Sequence, residues 1–214
     1  MNLFNRSSFQ ILFLFLLLSC QNSDKKTETE KQGKKDTSVV KTETSNPYDN
    51  IDISPMDMSY FPVDYPKLKM TNSVDQPPVA RIIYSRPHLQ GRKMFGQILK
   101  YGDPWRLGAN EATEILLYKD VTIQGKKIKA GRYMLYCIPY EDKWTIVFNS
   151  NIDSWGLKID PSKDLYRFDV PTTTKNPSLE YFTMVFEKTD RGADLLMGWD
   201  TILARLPVEF TLKR

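Results

Sequence analysis

The sequence contains only two cysteines and one histidine in 214 residues. Cys20 ends an N-terminal apolar segment and is a candidate for modification, which leaves Cys137 without a partner for an intramolecular disulfide. No basic residue or histidine is adjacent to Cys137, which favours a small buried hydrophobic residue over a nucleophile. The single histidine, His88, excludes a histidine-rich metal centre, and no cluster of Cys, Asp and Glu has metal-ligand spacing. The sequence therefore predicts no metal site and no cofactor.

The sequence also lacks a strong excess of either charge. It has 30 basic and 26 acidic residues, for a net charge of +4. The lysines are dispersed, and the densest group, near residues 25–35, alternates with Glu and Asp. Because a nucleic-acid-binding face requires clustered basic residues, we predict no nucleic-acid partner. The 41% of hydrophobic residues indicates one globular domain with appendages.

The N-terminal apolar run, from Phe9 to Leu18, is too short to cross a membrane, because a spanning helix needs about 20 apolar residues. Arg6 places a positive charge before this run, as in a signal peptide. The run ends in Leu17-Leu18-Ser19-Cys20, which resembles the bacterial lipobox. This resemblance implies cleavage between Ser19 and Cys20 and lipid on the Cys20 thiol and amine. The alternative is a plain secretory peptide with an incidental cysteine.

Lipidation of Cys20 predicts an extracytoplasmic, membrane-anchored lipoprotein at the periplasmic or outer-membrane face, with the lipid bilayer as its partner. Each buried CH₂ group adds about 0.8 kcal/mol, so several acyl chains anchor a protein stably. Residues 1–19 are then the signal peptide. Residues 20–47 are rich in Lys, Glu, Thr and Ser, and we predict a flexible polar tether because they cannot bury enough apolar surface to fold.

Residues 48–78 are rich in aromatic residues and methionine but are interrupted by Pro55, Pro62 and Pro66. Repeated proline excludes a long helix or a central strand. We predict an irregular strap that packs on the following domain. The side chains expected to pack are Met56, Met58, Tyr60, Phe61 and Tyr65.

From residue 79 to residue 214, apolar residues tend to alternate with polar ones, most clearly between Ile202 and Leu212. Gln124-Gly125-Lys126 lies between two short strand-like segments and predicts a hairpin turn. The continuous apolar run Tyr133–Ile138, which ends at Pro139, predicts a strand that is buried on both faces. Seven to nine short strands with frequent turns predict an all-β, antiparallel β-sandwich, with a closed β-barrel as the alternative.

Charged, aromatic and amide side chains are concentrated between residues 81 and 111, among glycines that allow tight loops. A guanidinium group suits carboxylate or phosphate, and tryptophan offers a stacking surface for a sugar. We predict that six side chains face one pocket at an end of the sandwich and bind a small polar or anionic ligand, such as a glycan. They are Arg86, Arg92, Trp105, Arg106, Asn110 and Glu111.

Two alternatives assign these residues to packing. Arg81 and Arg106 can form ion pairs with Glu111 or Asp103, and Trp105 can close one end of the core. The other tryptophan-containing segments, Asp153–Gly156 and Trp199–Thr201, are interpreted as turns or strand ends whose aromatic residues cover the core. These alternatives favour a structural envelope protein with no small-molecule site.

A third function, hydrolysis, requires a nucleophile, a base and an orienting carboxylate. Ser85, His88 and Glu111 provide such a set, and a hydrolase that uses Glu111 with His88 or Ser85 is the alternative to ligand binding without chemistry. No nucleophile-elbow sequence surrounds Ser85, which favours a loop histidine over a catalytic one. No pattern in the sequence predicts an oligomeric state.

The chain also contains a series of short motifs in a fixed order. They are Ser54-Pro-Met-Asp-Met58, Tyr65-Pro66, Tyr84-Ser-Arg-Pro87, Gly91-Arg92, Phe95-Gly96, Tyr101-Gly102, Trp105-Arg106, Gly108-Ala-Asn-Glu-Ala-Thr113, Ala130-Gly-Arg-Tyr133, Ile138-Pro139 and Trp144-Thr145. Together these motifs resemble an uncharacterised bacterial lipoprotein family, the domain of unknown function 2911, over roughly residues 51–210. The resemblance supports the domain boundaries and the extracytoplasmic setting. It implies no activity, ligand or catalytic residue.

Overall fold

The structure, a computed structural model, describes residues 52–210. The predicted signal peptide, the predicted lipidation site Cys20 and the predicted tether, residues 20–47, lie outside the described residues. Within the described range, the one α-helix, α1 (Tyr65–Met70), has six residues. No helix between residues 52 and 210 is long and apolar enough to cross a membrane.

The described chain consists mainly of antiparallel β-strands. The nine strands are β1 (Met56–Phe61), β2 (Ala80–Ser85), β3 (Thr113–Leu117), β4 (Val121–Ile123), β5 (Lys126–Ile128), β6 (Gly131–Pro139), β7 (Lys143–Asn149), β8 (Asp164–Thr189) and β9 (Gly192–Glu209). A short 3₁₀ helix, Pro161–Lys163, precedes β8. The strand order is β1-β2-β3-β6-β7-β8-β9-β4-β5.

The long strand β8 divides this sheet into two layers. Residues Asp164 to Pro171 of β8 pair with β7, whereas the segment from Thr172 onward pairs with β9. Both layers contribute to one core, because Tyr84 of β2 contacts Phe182 of β8 with ring centroids 5.7 Å apart. The order of the described strands begins at β1 and ends at β5, so the sheet is not closed. The predicted β-sandwich is therefore confirmed, and the alternative of a closed barrel is wrong.

Local sequence patterns account for individual strands. The hairpin between β4 and β5 turns at Gln124 and Gly125, whose φ angles of 46° and 76° suit a tight two-residue turn. Strand β6 is buried on both faces, as its continuous apolar run predicts. One face lies in the main core. The other packs in a second cluster with Ala112 and Val147.

The prediction of an irregular strap at residues 48–78 needs correction. Met56–Phe61 is a regular edge strand paired with β2, and Tyr65–Met70 is helical. Pro55 and Pro62 flank the strand rather than interrupt it, and Pro66 lies in the first helical turn, where its missing N–H removes no hydrogen bond. Of the five expected packing side chains, Phe61 is buried, whereas Met56 is 49% exposed. Strands β8 and β9 are also much longer than the short strands expected.

Candidate functional site

Trp105 lies in the centre of the core and is only 7% exposed. Its ring stacks on Trp199 with centroids 5.7 Å apart and contacts Trp144 and Phe182 edge-on. The indole Nε1 donates a hydrogen bond to the Gly108 carbonyl at 3.0 Å. Trp105 therefore has no face available for a ligand, and its predicted role as a stacking surface is replaced by core packing.

Two of the predicted ligand-binding arginines bond to the chain itself. Arg86 pairs with Asp57 at 3.2 Å and also donates to the Phe182 carbonyl and the Thr183 hydroxyl. Arg92 donates to the carbonyls of the preceding loop residues at positions 88 and 89. Because their donors fix loops and strands, these side chains do not form the expected anion pocket.

The structure does not assemble the hydrolytic combination of Ser85, His88 and Glu111. The Ser85 hydroxyl is buried and donates to the Met56 sulfur at 3.2 Å. The His88 imidazole lies 3.7 Å from the carboxylate of Glu180, and within the described chain no hydrogen bond or ion pair joins it to Glu111. Neither Ser85 nor His88 is therefore oriented by Glu111.

Asn110 and Arg106 also have structural surroundings. The Asn110 amide donates to the Asp52 carboxylate at 2.5 Å, and its φ of 55° shapes the loop before β3. The Arg106 side chain packs against Gly156, and burial lowers the pKa of its guanidinium group. Within the described chain, Arg106 Nη1 is buried without a hydrogen-bond partner, and no ion pair joins Arg106 to Glu111. The alternative of an Arg106–Glu111 pair is thus wrong.

Glu111, one of the predicted ligand-binding residues, lines a cleft of the described surface. This cleft has a volume of about 390 Å³ and lies on the face of β2 and β3 that points away from the main core. We call it the Trp155 cleft. Its lining residues are Met56, Ile83, Glu111, Ala112, Glu114, Asp153, Ser154 and Trp155.

The wall of the Trp155 cleft is a loop held firmly against the start of β3. The Asp153 amide donates to Glu114 Oε1 at 2.8 Å, and the Ala112 amide donates to the Ser154 carbonyl at 3.2 Å. Gly156 has a φ of 75°, and a Cβ there would lie 2.9 Å from the Ala112 Cβ. Only glycine permits this close approach. The preceding residue, Trp155, is 54% exposed and lines the cleft.

The carboxylates of the Trp155 cleft differ in their partners. Glu114 accepts a hydrogen bond from Arg132 Nε at 2.6 Å, and Asp153 accepts one from Arg132 Nη2. The hydrogen bond to Glu114, and to a smaller extent the one to Asp153, raises the pKa of Arg132 above its usual value. Glu111 has no hydrogen bond or ion pair to any described residue. Its carboxylate is therefore free to accept hydrogen bonds from a ligand.

Comparison with known proteins identifies the family but no activity. Residues 66–208 match the model of a family described as a protein of unknown function, DUF2911. This chain belongs to the DUF2911 family. No curated protein and no solved structure matches the chain. The match includes Glu111 and Trp155 of the cleft, but it begins after Met56 and the edge strand β1.

The described part of this DUF2911 protein shows neither a candidate metal site nor an accessible thiol. Within residues 52–210, no group of three or more His, Cys, Asp or Glu side chains could hold a metal ion. Cys137 is fully buried, and burial raises the pKa of its thiol well above the usual value. A protonated, inaccessible thiol is a poor nucleophile.

Sequence reasoning missed Trp155, Glu114 and Asp153 as cleft residues. The interpretation that the tryptophan covers the core is correct for Trp199, which lies inside strand β9 and is 1% exposed, but not for Trp155. The local signal at Asp153–Gly156 was a tryptophan flanked by a serine, an aspartate and a glycine. Such a signal indicates a turn, but the exposure of the tryptophan depends on which segment packs beneath the glycine.

Proposed function

We propose that this protein is a lipoprotein of the cell envelope, anchored through Cys20, whose β-sandwich binds a small polar ligand in the Trp155 cleft without chemistry. The observation that carries the binding proposal is an exposed tryptophan beside a carboxylate without a partner, Glu111. The cleft volume of about 390 Å³ falls within the range typical of small-molecule sites. The ring of Trp155 offers an apolar face, and Glu111 offers hydrogen-bond acceptors that fix the orientation of a ligand.

The charges of the cleft favour an uncharged or cationic group over an anion near Trp155. Glu111, Glu114 and Asp153 are all acidic, and among the described residues only Arg132 forms an ion pair with any of them. An anion beside these carboxylates would be repelled. A sugar hydroxyl or an ammonium group can donate hydrogen bonds to them instead.

The two alternatives explain fewer observations. A hydrolase based on Ser85 or His88 has no support from the geometry, since Ser85 bonds to Met56 and His88 faces Glu180. A purely structural role agrees with the packing of Trp105 and Arg86, but it gives no reason for an exposed tryptophan at a cleft. Binding accounts for both sets of observations.

Fluorescence quenching provides the test of ligand binding, because Trp155 differs from the other three tryptophans of the chain. Trp105, Trp144 and Trp199 are at most 7% exposed, so acrylamide should quench mainly Trp155. A compound that occupies the cleft is expected to reduce this quenching by at least half in a screen of sugars, amino acids and short peptides.

The matched control is Trp155→Phe, which removes the accessible fluorophore and should abolish both the quenching and its protection. Thermal unfolding of the same samples measures binding independently, because a ligand that binds only the folded state raises Tm. The proposal is contradicted if no compound of the screen changes either the quenching or the Tm of the wild-type protein.

Membrane anchoring is tested by replacing Cys20 with serine. The variant lacks the thiol that would carry lipid, so we expect it in the soluble periplasmic fraction or as an uncleaved precursor, with no fatty-acid label. Ser23→Ala, three residues downstream, should behave as the wild type. Unchanged membrane retention and unchanged labelling of Cys20→Ser would show that Cys20 is not the anchor.

A further inference from the structure

A second hollow continues the Trp155 cleft along the outer surface of the sheet. It has a volume of about 200 Å³ and is lined by Arg81, Ile83, Glu114, Leu116 and Arg132. Ile83 and Glu114 line both hollows. The two hollows are therefore adjacent on the outer face of the sheet, and together we call them the outer-face groove.

Strand register fixes the order of side chains along the outer-face groove. Arg81 of β2 pairs with Leu116 of β3, and Ile83 pairs with Glu114. Along the chain, Glu111 precedes Glu114, whereas Leu116 follows it. Glu111 and Arg81 therefore lie toward opposite ends of the groove, with Ile83 and Glu114 between them.

The two ends of the outer-face groove carry opposite charges that are not neutralised within the described chain. The Arg81 side chain has no hydrogen bond or ion pair to residues 52–210, and its Nε is buried. Glu111 also has no described partner, whereas Glu114 and Arg132, between the ends, pair with each other. A buried N–H group without an acceptor is unfavourable, so the guanidinium group of Arg81 is incompletely paired within the described chain. Because Arg81 lines the hollow, an anion bound there can pair with this guanidinium group.

We propose that the outer-face groove binds a short zwitterionic peptide, with its ammonium group at Glu111 and its carboxylate at Arg81. This inference rests on the proposed function, because it assigns a ligand class to the same cleft. Trp155 can contact the ammonium group by a cation–π interaction, and the forked guanidinium of Arg81 matches a carboxylate. Met56 and Ile83 provide apolar contacts for the peptide side chains.

The length of the groove selects a peptide over a free amino acid. Leu116, the partner of Arg81, is the fifth residue after Glu111, so the two ends are at most about 17 Å apart along the strand. The Glu and Arg side chains are each several bonds long and can cover part of this distance from the two ends. Three extended peptide residues span about 10 Å, which brings both termini within reach of these side chains. A free amino acid contacts one end only.

The test compares trialanine with its capped forms, using the full chain, calorimetric titration and acrylamide quenching of Trp155. N-acetylation removes the ammonium group, amidation removes the carboxylate, and the doubly capped peptide has neither. We expect each single cap to weaken binding about tenfold, because a hydrogen bond to a charged partner contributes about that factor or more.

Charge-removing variants assign each terminus to one side chain. In Glu111→Gln, trialanine should bind as weakly as N-acetyl-trialanine binds the wild type, while the preference for a free carboxylate remains. In Arg81→Gln, the preference for a free carboxylate should disappear while the preference for a free ammonium group remains. Glu141→Gln, an exposed carboxylate outside the groove, is the matched control and should retain both preferences.

Other outcomes overturn the inference. If both variants retain both charge preferences, or if the doubly capped peptide binds as tightly as trialanine, the groove does not recognise a zwitterion. If cellobiose, an uncharged sugar, protects Trp155 and trialanine does not, the peptide inference fails while the proposed binding function stands. If neither the peptides, the sugars nor the amino acids of the screen protect Trp155, both proposals fail.

Discussion

Replacing Trp105 with alanine is expected to lower the free energy of unfolding by about 3–5 kcal/mol. The indole ring contacts Trp144, Trp199 and Phe182 in the core, with centroids between 4.9 and 5.8 Å away. Its removal leaves a cavity that the surrounding rings cannot fill by small movements. It also leaves the Gly108 carbonyl without the hydrogen bond from the indole N–H.

Urea unfolding followed by circular dichroism measures this change, and the midpoint should fall while the slope stays constant. Trp155→Ala is the matched control, because the same side-chain deletion at a 54% exposed position should change stability by about 0.5 kcal/mol or less. A loss below about 1 kcal/mol for Trp105→Ala would contradict the assignment of Trp105 to the core. Such a small loss would instead support the prediction that Trp105 contacts a ligand.

Gly192→Ala is expected to lower the free energy of unfolding by about 2–4 kcal/mol. Gly192, the first residue of β9, lies close to Val208 near the end of the same strand. A Cβ atom at position 192 would lie only 2.2 Å from the Val208 carbonyl oxygen. The Phe210 amide also donates to the Arg191 carbonyl at 3.0 Å, which holds this part of the backbone in place. A methyl group therefore forces the two ends of β9 apart.

Gly125→Ala separates this steric effect from the loss of glycine in general. Gly125 also has a positive φ, 76°, but no heavy atom lies within 4 Å of the position of its Cβ. Only the backbone strain remains, and we expect a loss of about 1 kcal/mol. Thermal unfolding of both variants compares them. Equal losses at the two positions would show that the contact between Gly192 and Val208 is not needed for stability.

Much of the fold follows from short-range sequence patterns. The alternation between Ile202 and Val208 gives a half-buried strand, in which Arg205 is exposed while Leu206 and Val208 are buried. The turn at Gln124 and Gly125 specifies its hairpin in the same local way. Alternation and turn residues act over a few positions, so the sequence reveals them directly.

The partners of the charged side chains were not predictable in this way. Arg86 donates a hydrogen bond to the Phe182 carbonyl, 96 positions away in the sequence. It also donates one to Asp57, which lies in the segment for which the sequence predicts an irregular strap. An arginine looks the same in the sequence whether its guanidinium group binds a ligand or a distant backbone carbonyl. The prediction of an arginine-lined pocket therefore depended on contacts that only the packed chain defines.

The sequence by itself determined the all-β class, the family and the positions of most strands and turns, because these depend on the period of apolar residues and on local backbone preferences. The tertiary structure decided which of two tryptophans is available to a ligand. Trp105 is enclosed by rings from β7, β8 and β9, whereas Gly156 packs against Ala112 and leaves Trp155 at an open cleft. Exposure is a property of long-range packing, and the residues that create it are distant in the sequence.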